Sequence, residues 1–164
     1  MAAATCYRQR IDIPGPDNQP IHIVGTDETW PEIILAIGAG RVVMDDPDQV
    51  EDVREQLSAA LARAAAAINW QQADRRPTRG AQQRRERIYR RVIEAGSDPV
   101  TVESRIERGH PEVVVMVGDD RDDAVTMRGA DDVAAVRRQL WTVLGRALTT
   151  VAWGVASDLL ARGC

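Results

Sequence analysis

Tyr7, Gln9, Ile11 and Ile13 alternate with Arg8, Arg10 and Asp12, the two-residue period of a strand with one face in a core. Pro14-Gly15-Pro16-Asp17-Asn18 then predicts a chain reversal. A second strand is expected over Pro20 to Val24, a third over Glu32 to Ile37, and a fourth over Arg41 to Asp45 after the turn Gly38-Ala39-Gly40. Beyond Asp48 the period changes. Val50, Val53, Leu57, Leu61, Ala64 and Ile68 recur at steps of three and four, which predicts an amphipathic helix with Asp48 as its cap.

The same pattern then occurs again. Val42 to Trp70 aligns without a gap on Val125 to Trp153, with twelve identities in twenty-nine positions, among them Arg54 with Arg137 and Trp70 with Trp153. Upstream, Pro31-Glu32-Ile33-Ile34 matches Pro111-Glu112-Val113-Val114 once three extra residues are placed within Asp119 to Asp123. Tyr7-Arg8 matches Tyr89-Arg90, and Pro20 to Ile23 matches Pro99 to Val102. Asp131 takes the capping place at the second helix. The expected fold class is therefore α+β and internally duplicated. Two β-β-β-β-α repeats form antiparallel sheet or sheets, with long helices packed on one face. The expected division is repeat 1 over 5–70, an Arg-rich linker over 71–86 and repeat 2 over 87–162. Four strands and a helix, twice over, is similar in arrangement to Whirly-type single-stranded DNA-binding proteins and to peptide-presenting grooves. The likeness is architectural, since no motif of either family is present, and fold does not fix function.

Ile33 to Ile37 and Val113 to Val117 are unbroken apolar runs, so both faces of these strands are expected to be covered. The second helix adds Trp141, Val143, Leu148 and Val151 outside its stripe. That surplus predicts a protein interface at Trp141, Leu148 and Trp153, most simply with a second copy of the chain.

Charge adds one alternative. The net charge of -4 and pI near 5.2 argue against a general nucleic-acid coat. Lysine is absent, and the arginine and alanine bias fits a GC-rich bacterial or phage genome. Asp74 to Arg91 nevertheless holds Arg75, Arg76, Arg79, Arg84, Arg85, Arg87, Arg90 and Arg91 against Asp74 and Glu86 alone. This segment could track phosphates, with Tyr89 as a stacking surface; a solvated linker is the plainer reading. Gly80 to Ala95 also fits a helix ended by Gly96, but the repeat correspondence favours a strand from about Arg87.

Other chemistry is thin. Asp119-Asp120-Arg121-Asp122-Asp123 lacks the spacing, glycine and distal glutamate of a calcium loop and reads as a hairpin tip for a basic partner or for the Arg-rich segment. His22 and His110 fall at non-equivalent places, and Cys6 and Cys164 have no metal-ligand spacing. Asp45-Asp46 and Asp131-Asp132 lie where helix starts favour acids. No catalytic constellation, metal site or cofactor motif is expected. Arg146 and Asp158 interrupt the apolar stretch from Leu140 to Leu160, which argues against a membrane span. Met1 to Cys6 lacks the form of a signal peptide, so a cytoplasmic location is expected. The functional expectation is a non-enzymatic protein-binding or regulatory module that self-associates through an apolar sheet face or the C-terminal helix, with nucleic-acid binding by the Arg-rich segment as the alternative.

Overall fold

In the computed structural model, residues 5–15, 17–26, 30–70, 85–107, 109–118 and 123–153 are described. The alternating segments form β1 (Thr5–Ile11), β2 (Ile21–Thr26), β3 (Glu32–Ile37) and β4 (Gly40–Met44), followed by helix α1 (Pro47–Ala67). The second half gives β5 (Arg85–Ile93), β6 (Val100–Glu107), β7 (His110–Val117) and β8 (Ala124–Met127), then α2 (Ala130–Thr150). The chain is α+β, with two antiparallel four-stranded sheets in the orders β1-β2-β3-β4 and β5-β6-β7-β8. Residues 85 to 93 are strand, which decides between the helical and extended readings of that segment.

The helix starts differ from expectation. Asp46, not Asp48, caps α1, accepting a hydrogen bond of 2.8 Å from the Asp48 N–H, because Pro47 occupies the first turn where its missing donor costs nothing. At α2 the cap is Gly129 rather than Asp131, with no side-chain bond; Asp131 and Asp132 lie in the first turn and act on the helix dipole instead.

Each helix crosses to the other sheet. α1 packs mainly on β5 and β6, α2 mainly on β1 and β2, and the two helices lie against each other. The reason is apolar matching: α1 buries Val50, Val53, Leu57 and Leu61, and α2 buries Val133, Val136, Leu140 and Leu144, all in one core with Ile21, Ile23, Leu35, Val102 and Val115. Gly25 on β2 permits the closest approach, since a Cβ there would lie 2.8 Å from Val151 at the end of α2. Val143 and Val151, part of the apolar surplus of the second helix, are consumed inside the chain.

Hydrogen bonds across the two halves come in equivalent pairs. Arg54 Nε donates to Trp141 O at 2.8 Å, and its repeat counterpart Arg137 donates to Ser58 O at 2.8 Å. The indole N–H of Trp70 donates to Ala65 O at 3.0 Å and that of Trp153 to Leu148 O at 3.1 Å, each closing a helix C-terminus whose last carbonyls lack partners. Edge strands are treated alike. Ser97, in the β5–β6 turn, accepts from Val43 N–H at 3.2 Å and donates to Arg41 O at 3.4 Å on β4. Asn18, at the corresponding place in the β1–β2 loop, donates to Thr126 O at 2.7 Å and accepts from Thr126 N–H at 2.9 Å on β8. Each half thus closes the other's exposed edge.

This clasp requires a glycine beside Ser97. Gly96 has φ +58, and a Cβ there would overlap the carbonyl oxygen of Val43. Gly118 has a similar φ of +70 but open space where its Cβ would be. Gly96→Ala is expected to cost about 3 kcal/mol or more, and Gly118→Ala about 1 kcal/mol, the left-handed penalty alone. Urea unfolding of both variants measures the difference; equal costs would mean that β4 is not held as described.

Candidate functional site

The outward faces of the two sheets have diverged. Nine residues connect β1 to β2 and six connect β5 to β6, a difference of three. The longer loop, held to β8 by Asn18 and folded on itself by an Asn18 Nδ2 to Pro14 O bond of 2.7 Å, stands over the outer side of β7 and β8. Beneath it lies a cleft of about 590 Å³. Val114, Met116, Ala124 and Thr126 line it together with Pro14, Asp17, Gln19, Arg105, Arg128 and Asp132.

Beside the cleft runs a row of charges. The strand register places Arg87, Arg105 and Glu112 side by side, with Arg128 beyond. Arg105 Nε meets Glu112 at 2.5 Å, while its other nitrogens lie 3.7 Å from Glu103 and 3.4 Å from Glu107. Arg87 also pairs with Glu103 at 2.5 Å, and Arg128 lies 3.7 Å from Glu112. Glu103 and Glu112 are buried, so each needs its guanidinium partners to be tolerated there. Three arginines meet three glutamates, so the charges within this row balance. Ser104 Oγ is buried with no partner among the described residues and does not line the cleft. Among the described residues no group of three or more His, Cys, Asp or Glu side chains could hold a metal.

The outer face of the first sheet is different. Register aligns Arg8, Val24, Ile34 and Val43 in one row, and Arg10, His22, Ala36 and Arg41 in the next. Val24, Ile34, Ala36 and Val43 are half-exposed, whereas Val114, the β7 counterpart of Ile34, is 2% exposed. The two apolar runs therefore differ: β7 is covered on both faces and β3 on one only. Trp30, leading into β3, is 73% exposed.

The arginines of the linker do not form one surface in the described part. Arg75, Arg76, Arg79 and Arg84 lie outside the described residues; Arg85 opens β5. Arg87 is engaged by Glu103, while Arg90 and Arg91 are exposed neighbours on a strand and so project to opposite faces. Of Trp141, Leu148 and Trp153, only Trp141 is exposed, at 39%, and Arg54 stacks over its ring 3.7 Å from the centroid. Leu148 and Trp153 are half-buried against the core. Asp119, Asp120, Arg121 and Asp122 are outside the described residues; Asp123 accepts a bond from Ala39 N–H at 3.1 Å, a contact with the first half. His22 and His110 stand on different sheets. Cys6 directs its thiol at Gly25 O; Cys164 is outside the described residues. No described helix is long and apolar enough to cross a membrane.

Reading residue by residue did not find the charge row, although Glu103, Arg105 and Glu107 alternate along β6 as one face of a strand must. Asn18 left no comparable signal, because its partner lies 108 residues away.

Asn18→Ala removes both bonds to the β8 edge and is expected to cost about 2 kcal/mol, since the N–H and C=O of Thr126 lose their partner. Hydrogen exchange at the Thr126 amide should accelerate in the variant; unchanged protection would refute the clasp. A second test concerns Tyr7, whose hydroxyl is buried without a partner among the described residues. Desolvation by burial raises its pKa above 10.0, against the opposing charge of Arg146. Below pH 10 the phenol is neutral folded or unfolded; above it the unfolded chain ionises first, so stability falls as pH rises through the folded value. Tyr7→Phe should abolish this alkaline loss and gain about 1 kcal/mol at neutral pH, as read from urea titrations across pH.

No known family model matches the sequence, and none of the curated proteins compared with it is similar, so its role must be argued from these surfaces.

Proposed function

We propose that the chain is a non-enzymatic protein-binding module that self-associates through the outer face of its first sheet. The observation that carries this reading is the half-exposed row Val24, Ile34 and Val43, with Arg8 at its β1 end, Arg41 in the next row and the exposed Trp30 leading into β3. An apolar centre with a polar rim and a tryptophan anchor is the composition of a protein interface. Apolar side chains outside the core gain nothing for the fold, so their placement asks for a partner. The arginines and glutamates beside the cleft are engaged with one another rather than turned toward a reacting group, which supports binding rather than catalysis.

The nucleic-acid alternative draws less support. Arg87 is neutralised, Arg90 and Arg91 diverge, and the chain carries a net charge of -4.

Light-scattering chromatography at low and high salt tests the proposal. The chain should run as a dimer that persists in high salt, since apolar burial is not screened. Ile34→Arg should halve the mass while changing stability by less than about 1 kcal/mol, because the side chain points outward. A monomer at every concentration, or a dimer indifferent to Ile34→Arg, would sink the reading.

A further inference from the structure

Among the described residues, two of the four sheet edges are closed by the opposite half of the chain and two are not. Ser97 and Asn18 occupy β4 and β8. Among the described residues β1 and β5 are each paired on one side only, to β2 and to β6. β5 is the longer, nine residues against seven, and an open edge presents a row of N–H and C=O groups to any extended chain.

Comparison within the duplication separates what the fold needs of β5 from what it does not. Tyr89 and Ile93 repeat Tyr7 and Ile11 and pack on the core, as they do. A bulge precedes the tyrosine in both strands. Elsewhere the strands diverge: Cys6, Gln9 and Arg10 correspond to Ile88, Arg91 and Val92. Ile88 is 38% exposed and Val92 42%. The fold does not require these apolar side chains, since β1 is built without them. Arg90 and Arg91 are exposed, and neither has an ion pair among the described residues.

The geometry points to β5 as the docking edge for an extended acidic segment of another protein, added as a fifth strand to this sheet. The inference rests on the protein-binding reading above and names a second surface and its partner. Backbone hydrogen bonds supply the pairing, Ile88 and Val92 receive apolar side chains, and Arg90 and Arg91 receive carboxylates on the two faces of the added strand. A second copy is not the occupant, because joining two β5 edges brings arginine-rich strands together, and like charges opposite one another repel. Phosphate tracking is served less well, because it needs cations along one side and these two point apart.

Fluorescence anisotropy with the full chain tests this, using a labelled twelve-residue peptide of three Glu-Glu-Val-Val repeats, which as a strand sets carboxylates and apolar side chains on both faces. Three controls are its Lys counterpart, the Glu peptide N-methylated on alternate amides, and a thymidine oligonucleotide. The Glu peptide should bind, and bind more weakly as salt rises; the Lys and N-methylated forms should bind about tenfold more weakly. Arg90→Glu with Arg91→Glu should weaken the Glu peptide about tenfold and invert the preference for Lys. Val92→Thr, which keeps a β-branched residue on the strand, should weaken it less while leaving the unfolding midpoint unchanged. No binding of the Glu peptide, equal binding of the Lys or N-methylated form, or preference for the oligonucleotide would each overturn the inference. The solution mass without peptide separates the two proposals. A dimer that ignores the Glu peptide overturns this one and supports self-association, whereas a monomer that binds it supports this one and overturns self-association.

Discussion

The apolar face of each sheet is covered by the helix that follows the other sheet, and every further feature of the molecule is arranged around that exchange. Ile11, Ile21 and Ile23 on the first sheet are essentially fully buried, yet α1, the helix of their own half, packs mainly on β5 and β6. Burying each such side chain stabilises by about 2 kcal/mol, so three of them amount to about 6 kcal/mol. That is comparable with the whole net stability of an ordinary domain. A half without its neighbour would expose this surface, so the two halves form one cooperative unit joined by exchange, like a symmetric dimer contained within one chain.

Such an arrangement separates structural demand from function. Interactions present twice are those the fold needs: Arg54 and Arg137 on opposite carbonyls, Trp70 and Trp153 on their helix ends, Ser97 and Asn18 on opposite edges. Positions that break the equivalence are released from that demand. Thr26 corresponds to Arg105, Asp45 to Arg128, Ser58 to Trp141 and Trp30 to His110. Through these changes, and through a loop three residues longer, the second sheet acquired a covered outer face with a charge row while the first kept a half-open apolar one.

Local signals in the sequence carried the elements. The third strand occupies Glu32–Ile37 as the apolar run implies, and the helical stripe from Val50 to Ala64 is the buried one. Long-range pairing was not legible for a definite reason. A helix stripe declares that it needs a sheet but not which sheet, and duplication supplied two with nearly the same pattern. The outer faces were illegible for a related reason: Ile33 to Ile37 and Val113 to Val117 look alike, and what distinguishes them is the length of a loop elsewhere in the chain. The capping shift from Asp48 to Asp46 was readable, since proline at the first helical position places the cap immediately before it. The charge row needed more than alternation, because linking Arg105 to Glu112 requires the β6–β7 register.

Exchange also decides where the sheets can grow. Because each half turns its β1–β2 or β5–β6 connection onto the opposite edge, β4 and β8 are closed by the same contacts that hold the halves together. Opening either edge would therefore loosen the core, so neither is free to accept another strand. Growth is confined to β1 and β5, and both carry the usual defences, a bulge that twists the strand and arginines that repel a like neighbour. On β1 the defence is consistent, with Arg8 and Arg10 exposed and Arg10 held by Asp12. β5 departs from it by exposing Ile88 and Val92 beside Arg90 and Arg91, which have no ion pair among the described residues. An edge defended against copies of itself yet apolar enough to hold a strand discriminates by charge, and among the described residues it is β5, not the closed β4 and β8 or the defended β1, that offers this selectivity.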